Sequence, residues 1–391
     1  MRTIAIIGKN YGDEGKGLLT SALSSFYHRS LIIKTNGGAQ AGHTVESAEK
    51  NTRFIHHQTG SGSEHGEDTL LSGTFHPDLF QLGKEISEFR ERFGFLPKIF
   101  AEKNAYVTTI DDVLINMALE THRGSSRHGS CGMGINECFE RCKSGFGVSL
   151  GEIAKFTAKE YFQRLKKIRE EYTKKRLEEL KLQGEGQYTE MLENDNVLLN
   201  FAEESIENLR LIELTDADEK FLKSYDALIF ENGQGLLLDC DCLKNAPHLT
   251  SSKTGVSEPL SFLKKRRMKL DEAVYVTRTY ITKHGAGPLE NEFRREKHSA
   301  IEPDMTNEPN EWQGVIRYAY HKDTADFSEA IKDDLKEAGI KPSLALTHLN
   351  ETDGNILFKD GSVEATAFIE AVKEEFENIY LSDNREGIVK A

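Results

Sequence analysis

The run Gly8-Lys9-Asn10-Tyr11-Gly12-Asp13-Glu14-Gly15-Lys16-Gly17 stands between a short apolar segment and a helical pattern. At such a junction the free backbone N–H groups and the helix dipole favour an anion, so the loop reads as a phosphate cradle. Its spacing departs from the common P-loop. Gly8 lies too far from the Gly15-Lys16 pair, and Gly17 occupies the place of the magnesium-binding serine or threonine. Two carboxylates inside a phosphate loop repel the ligand unless a metal bridges them or one acts as a base. The pattern therefore points to acid–base chemistry beside a phosphorylated substrate. A second glycine-rich loop, Asn36-Gly37-Gly38-Ala39-Gln40-Ala41-Gly42-His43-Thr44, ends in a histidine able to donate a proton near neutral pH.

The elements that must position these loops are legible as short apolar or β-branched runs at Thr3–Ile7, Leu31–Lys34, Asp226–Phe230, Ala273–Thr279 and Leu344–Leu346. Each ends in glycine or polar residues, as buried strands do. Helical patterns such as Leu18–Tyr27 lie between them. In the charged span Phe156–Leu182, Tyr161, Leu165, Ile168 and Tyr172 recur at four-three-four spacing, which predicts a long amphipathic surface helix. Strands separated by helices imply an α/β fold: a mostly parallel central sheet with helices on both faces, in a P-loop-like nucleotide-binding enzyme with insertions. In such sheets ligands bind beyond the carboxyl ends of the strands. Both loops follow strands, as do Asn232-Gly233-Gln234-Gly235, His284-Gly285-Ala286-Gly287 and Thr347–Asn350. Motifs spread from Gly8 to Asn350 favour a single domain over 1–391, with a helical insertion at 151–220.

Composition narrows the partners. With 50 Lys+Arg against 64 Asp+Glu the formal charge is −14, which disfavours nucleic acid and anionic membranes, because binding them needs clustered cations. No run approaches the ~18 apolar residues of a membrane span, and the first apolar run is too short for a signal peptide, so a cytoplasmic location is expected. The 5 cysteines include no Cys-x-x-Cys pair, which favours reduced thiols over zinc. Cys138 and Cys142 read as core thiols sharing a helical face.

The Gly-Asp-Glu-Gly-Lys-Gly loop at 12–17, Gly37-Gly38-x-x-Ala41-Gly42-His43-Thr44, Phe230-Glu231-x-Gly233-Gln234-Gly235-x-Leu237-Leu238-Asp239 and Thr250-Ser251-Ser252 together resemble adenylosuccinate synthetase, in order and approximate spacing. Gly129-Ser130-Cys131-Gly132-Met133-Gly134-Ile135 is similar to that family's Gly-Thr-Thr-Gly-Arg-Gly-Ile segment, and Gly285-x-Gly287-Pro288-x-x-x-Glu292 to its later Gly-x-Gly-Pro element. The resemblance implies a Mg²⁺-dependent homodimeric ligase. A nucleoside triphosphate, GTP or ATP, phosphorylates the 6-oxygen of a purine monophosphate, IMP above all. An amino-acid amine donor, L-aspartate, then displaces that phosphate to form a C–N bond.

By the same resemblance Asp13 takes the purine N1 proton and binds Mg²⁺, with the Gly42 carbonyl as a second metal contact. His43 donates toward the transferring phosphoryl, and Lys16 binds phosphate. The nucleotides fall to Gly12, Glu14, Gly15, Gly17, Gln40, Ala41, Thr44, Ser130, Cys131, Gln234, Thr250, His348 and Asn350, and Cys131 stands where the family has a phosphate-binding threonine.

Three departures bear on the substrates. The family reads guanine with a Lys-x-Asp element. Here the stretch is Thr347-His348-Leu349-Asn350, and an amide is not a double acceptor, which brings in ATP. The family's aspartate loop carries an arginine cluster. Its counterpart, with Thr306, Asn307, Asn310 and Gln313, has acids and no arginine before Arg317, so Arg317, Arg278 or a neighbouring loop must substitute or the amine differs. The arginine that the family supplies across its dimer falls near Gly145, with Arg141 and Lys143 close by. Viral relatives that act on dGMP, some with ATP, offer a competing activity, although the best-known ones replace the Asp13 equivalent. A non-catalytic nucleotide-binding relative is the reading of another class.

Overall fold

The computed structural model describes residues 1–47, 52–182, 184, 186–303, 314–336, 338–384 and 387–391. Its main sheet has ten strands: β1 (Arg2–Gly8), β2 (Ser30–Lys34), β3 (Asp68–Leu71), β4 (Ile99–Glu102), β5 (Glu213–Thr215), β6 (Ala227–Gly235), β7 (Glu272–Arg278), β8 (Ser343–Thr347), β9 (Ile379–Leu381) and β10 (Val389–Lys390). They lie in the order β10-β9-β8-β7-β1-β6-β2-β3-β4-β5. All neighbours pair in parallel except β9 with β10. The five runs legible as strands are the five contiguous central ones, β8-β7-β1-β6-β2.

Their residues are buried on both faces, as parallel strands covered by helices must be. Ala5, Ile7, Leu31, Ile33, Leu228 and Phe230 pack on one face against Phe262, Phe327 and Phe368 from three helices. Ile4, Ile6, Ile32 and Ile229 pack on the other against Leu19 and Leu23 of α1 (Lys16–Ser24). The alternation follows from the two-residue side-chain period of a strand.

The long charged span is helical over Ala158–Ile168, passes through a wider turn at Arg169–Thr173 and continues over Lys174–Glu179. Its apolar stripe is buried, against Leu198, Phe201 and Ala202 of the helix Asp195–Asn208 among others. The helices end before β5, which belongs to the main sheet. No described helix is long and apolar enough to cross a membrane.

His321 is buried between the rings of Phe327 and Phe358, and its Nε2–H donates to the Arg278 carbonyl at 3.0 Å. Burial, with Lys9 nearby, lowers its pKa to about 3. The unfolded chain takes up this proton near pH ~6.5, and the native state does not until far lower. Stability from this group is therefore full above that pH and is lost as pH falls. At pH 5 the loss is about 2 kcal/mol. A His321→Gln variant, which keeps a donor, should lose less melting temperature than the parent between pH 7.5 and pH 5. Equal losses would rule the linkage out.

Candidate active site

The first loop runs from β1 into α1, and its backbone is pressed onto the end of β6. A Cβ on Gly12, whose φ is +120°, would lie 2.9 Å from Gln234 Cα, and one on Gly235 would lie 2.5 Å from the Asn10 carbonyl oxygen. Glycine is required at both positions. The Glu14 carboxylate folds back to accept from the backbone N–H of Gly12 at 2.8 Å and of Asn10 at 3.0 Å. It lines neither cavity and frames the loop. Lys16 is buried, its Nζ donating to the Gly12 carbonyl and lying 3.4 Å from Glu14 Oε2. Gly15 leads into α1 in the left-handed conformation with no side-chain cap, so the first amides of α1 lack the partner that usually satisfies them.

The second loop is tied to β6 by a reciprocal asparagine clamp. Asn36 Nδ2 donates to the Gly233 carbonyl at 3.1 Å, and the Gly233 N–H donates to Asn36 Oδ1 at 2.9 Å. His43 then opens a hairpin, His43–Ser47 with Thr52–His56. Its Nδ1 lies 2.8 Å from Glu231 Oε1, while Lys34 Nζ lies 2.7 Å from Glu231 Oε2. All three side chains are buried, and they meet because β6 and β2 are neighbours in the sheet. Burial holds His43 down to about 4 against the pull of Glu231. Glu231 stays charged, because Lys34 and His43 outweigh its own burial. At neutral pH the site thus contains a Lys34–Glu231 ion pair and a neutral imidazole. Nε2 is the ring atom that Glu231 does not hold.

Two cavities meet here. The smaller, about 150 Å³, is lined by Gly15, Lys16, Gly17, Arg278, His348 and Asn350. The larger, about 520 Å³, is lined by Gln40, Ala41, Ser130, Cys131, Gln234 and Thr250. Gly12, Asp13, Gly42, His43 and Thr44 line both. Both amide atoms of Gln40, and Gln234 Oε1, are buried with no hydrogen-bond partner. Buried polar atoms are rarely left so unless a ligand or water completes them. The Asp13 backbone is fixed by Arg278, whose Nε donates to its carbonyl. Asp13 and Gly42 both line the junction of the cavities, and a carboxylate with a backbone carbonyl is a hard oxygen pair of the kind that suits Mg²⁺.

Other expectations come out differently. Thr306, Asn307, Asn310 and Gln313 lie outside the described residues. Arg317 lines neither cavity. It forms a two-point pair with Glu292 at 2.9 and 2.6 Å and donates to the carbonyls of Gly285 and Gly287. Its described donors are spent on Glu292 and the 285–287 turn. Arg141 is fully buried on Asp112 at 2.7 Å, so it is no candidate to reach a second subunit. Cys138 is a core thiol, 3.6 Å from the Arg141 guanidinium.

Sequence reasoning gave no role to Lys34, Glu85 or His284. Glu85 accepts from the backbone N–H of His57, Gln58 and Thr59, and so fixes the segment after the hairpin. His284 lines the larger cavity beside Asp13. Its place after a strand was the one available signal.

The model of the adenylosuccinate synthetase family matches residues 5–315. The adenylosuccinate synthetase of Thermosipho africanus is 26% identical over 291 residues, 73% of this chain and 66% of the relative, just under two thirds of its length. That of Thermoplasma volcanium is 25% identical over 386 residues, 96% of this chain and 85% of the relative. Among solved structures, a fully ligated adenylosuccinate synthetase from Plasmodium falciparum superposes with a TM-score of 0.73 at 18% identity, covering 100% of both chains. The succinoaminodeoxyadenylate synthetase of cyanophage S-2L, bound to dGMP and to dATP as an energy donor, gives 0.62 at 12% identity, covering 100% of this chain and 95% of that one. These two likenesses are likenesses of fold.

Proposed function

Because this chain belongs to the adenylosuccinate synthetase family, we propose that it is a purine-nucleotide ligase that phosphorylates the 6-oxygen of a purine monophosphate such as IMP and joins the activated carbon to an amine, L-aspartate by family. The observation that carries this reading is the pair of cavities sharing Asp13 and His43. One accommodates a triphosphate tail at the α1 amides and Lys16, the other a monophosphate, and the reacting oxygen and phosphorus meet where both cavities open.

Asp13 removes the N1 proton, which raises electron density on O6. His43 is neutral before substrates bind. With Nδ1–H held by Glu231, it donates from Nε2 once the charge of the incoming phosphoryl brings a proton onto the ring. The unpartnered amide of Gln40 and Oε1 of Gln234, with Thr250 and Ser130, hold the monophosphate. Asp13 and the Gly42 carbonyl would hold Mg²⁺, which neutralises charge on the transferring group. The triphosphate is ATP, or the site is permissive, since Asn350 offers one acceptor where guanine needs two.

The test pairs IMP or dGMP with GTP or ATP and with aspartate or other amines, reading phosphate release and product mass. Phosphate release that requires monophosphate and triphosphate together, with a C–N-bonded product, is the expected result. Strong preference for GTP would remove the ATP reading, and binding without phosphate release would favour a non-catalytic relative.

A further inference from the structure

His76, Cys138 and Cys142 meet away from the nucleotide cavities, and none of them lines either one. Their nitrogen and sulfur ligand atoms all lie within 4.8 Å of one another. Cys138 Sγ stands 3.7 Å from His76 Nδ1. Zinc bonds of about 2.3 Å to sulfur and about 2.0 Å to nitrogen put the S···N edge of a tetrahedron at about 3.6 Å, so this pair is already spaced as two ligands of one ion. Cys138 and Cys142 are separated by three residues, a spacing that zinc sites use. The histidine lies 62 positions before Cys138 and arrives only by packing, which is why the sequence pointed away from zinc.

The surroundings hold the donors and balance the charge. Phe139 packs edge-on against the His76 ring, with centroids 4.3 Å apart. The Arg141 guanidinium lies 3.6 Å from Cys138 Sγ, and its own charge is met by Asp112 at 2.7 Å. A divalent cation with two thiolates therefore leaves the buried cluster neutral, and the arginine N–H supports a thiolate as outer-shell donors do. The Tyr106 carbonyl, 3.2 Å from Nδ1, is an oxygen at hand for the fourth position. Cys142 is only partly buried and gives the ion a way in.

We propose that His76, Cys138 and Cys142 bind one Zn²⁺ ion, which acts as a structural tether behind the larger cavity. Binding forms one Zn–N and two Zn–S bonds, and the two thiol protons leave to solvent. The ion joins two segments on which that cavity depends. The His76 N–H donates to the Gly37 carbonyl of the second loop at 2.8 Å. The helix that carries Cys138 starts at Ile135, which lines the larger cavity with Gly134. Among the described residues the other group of this kind is Asp239, Cys240 and Asp241, where Lys253 is paired with Asp241. It serves as the control.

Co²⁺, a spectroscopic stand-in for Zn²⁺, is titrated into the full chain after a chelator has stripped it and a phosphine has reduced it. One equivalent should give thiolate-to-cobalt absorption, and Zn²⁺ should abolish it. Cys142→Ser and His76→Gln should each weaken binding by more than about 100-fold, beyond what loss of an outer-shell partner costs. Cys240→Ser should bind as the parent does. With Zn²⁺, amide exchange at residues 36–44 and 130–142 should slow in the parent and not in Cys142→Ser. A parent without the thiolate band overturns the site, so the test does not depend on the variants folding. A band that survives both site variants, or vanishes in Cys240→Ser, overturns it too. Zinc bound at these residues without slower exchange overturns the tether. No nucleotide enters the assay, so its failure leaves the ligase reading untouched.

Discussion

An Asp13→Asn protein should bind both nucleotides and lose turnover by about 10²–10⁴-fold, the range expected when a positioned proton acceptor is removed. The substitution keeps the shape of the side chain, so the loop, whose frame is Glu14 on the amides of Asn10 and Gly12, should remain intact. What is lost is the negative charge that, in the proposed mechanism, would accept the N1 proton and complete the metal's oxygen set. Phosphate release in a single turnover, beside calorimetric binding of each nucleotide, separates the two effects. Undiminished turnover would refute the assignment of Asp13 as base. Weakened binding of the triphosphate alone would assign Asp13 to the metal and not to the proton.

The second large effect is expected at Glu231, which is fully buried between Lys34 and His43. Replacing it with glutamine leaves the Lys34 ammonium buried without its counter-charge, and breaking one partner of a buried pair costs about 3–5 kcal/mol. Removing both charges, as Lys34→Met with Glu231→Gln, should cost less than the sum of the single changes. Only the single changes strand a charge in the interior. The double variant should still turn over slowly, because His43 has lost the carboxylate that fixes its ring and supports its proton. Denaturant unfolding of the four proteins measures the coupling. Strictly additive losses would show that Lys34 and Glu231 do not stabilise each other.

The central strands were legible because they are buried on both faces and so appear as unbroken apolar runs. Their register was not needed to see that the glycine-rich loops follow them. The outer strands β3, β4, β5, β9 and β10 have two to four residues each. A segment that short shows no period, and its strand character comes from the neighbour it pairs with. The loops at 8–17 and 36–44 were legible as loops at strand ends, and the structure places residues of both at the junction of the two cavities. Residue type alone did not show the protein partners of Glu14 and Arg317. Each has the right charge for a ligand, and each is spent on protein groups, Glu14 on backbone N–H and Arg317 on Glu292 and two carbonyls.

The sequence by itself determined the fold class, the family and the residue types at the junction of the cavities, since these depend on local pattern and on motif order. The tertiary structure alone decided which charges remain for substrates. Lys34 and Glu231 are 197 positions apart and His284 and Asp13 are 271 apart. Such pairs meet only when the sheet order β7-β1-β6-β2 brings the strand ends together. Whether a buried group is a ligand contact or part of the frame depends on what lies within hydrogen-bond reach, and that is a property of the packed chain, not of its residue spacing.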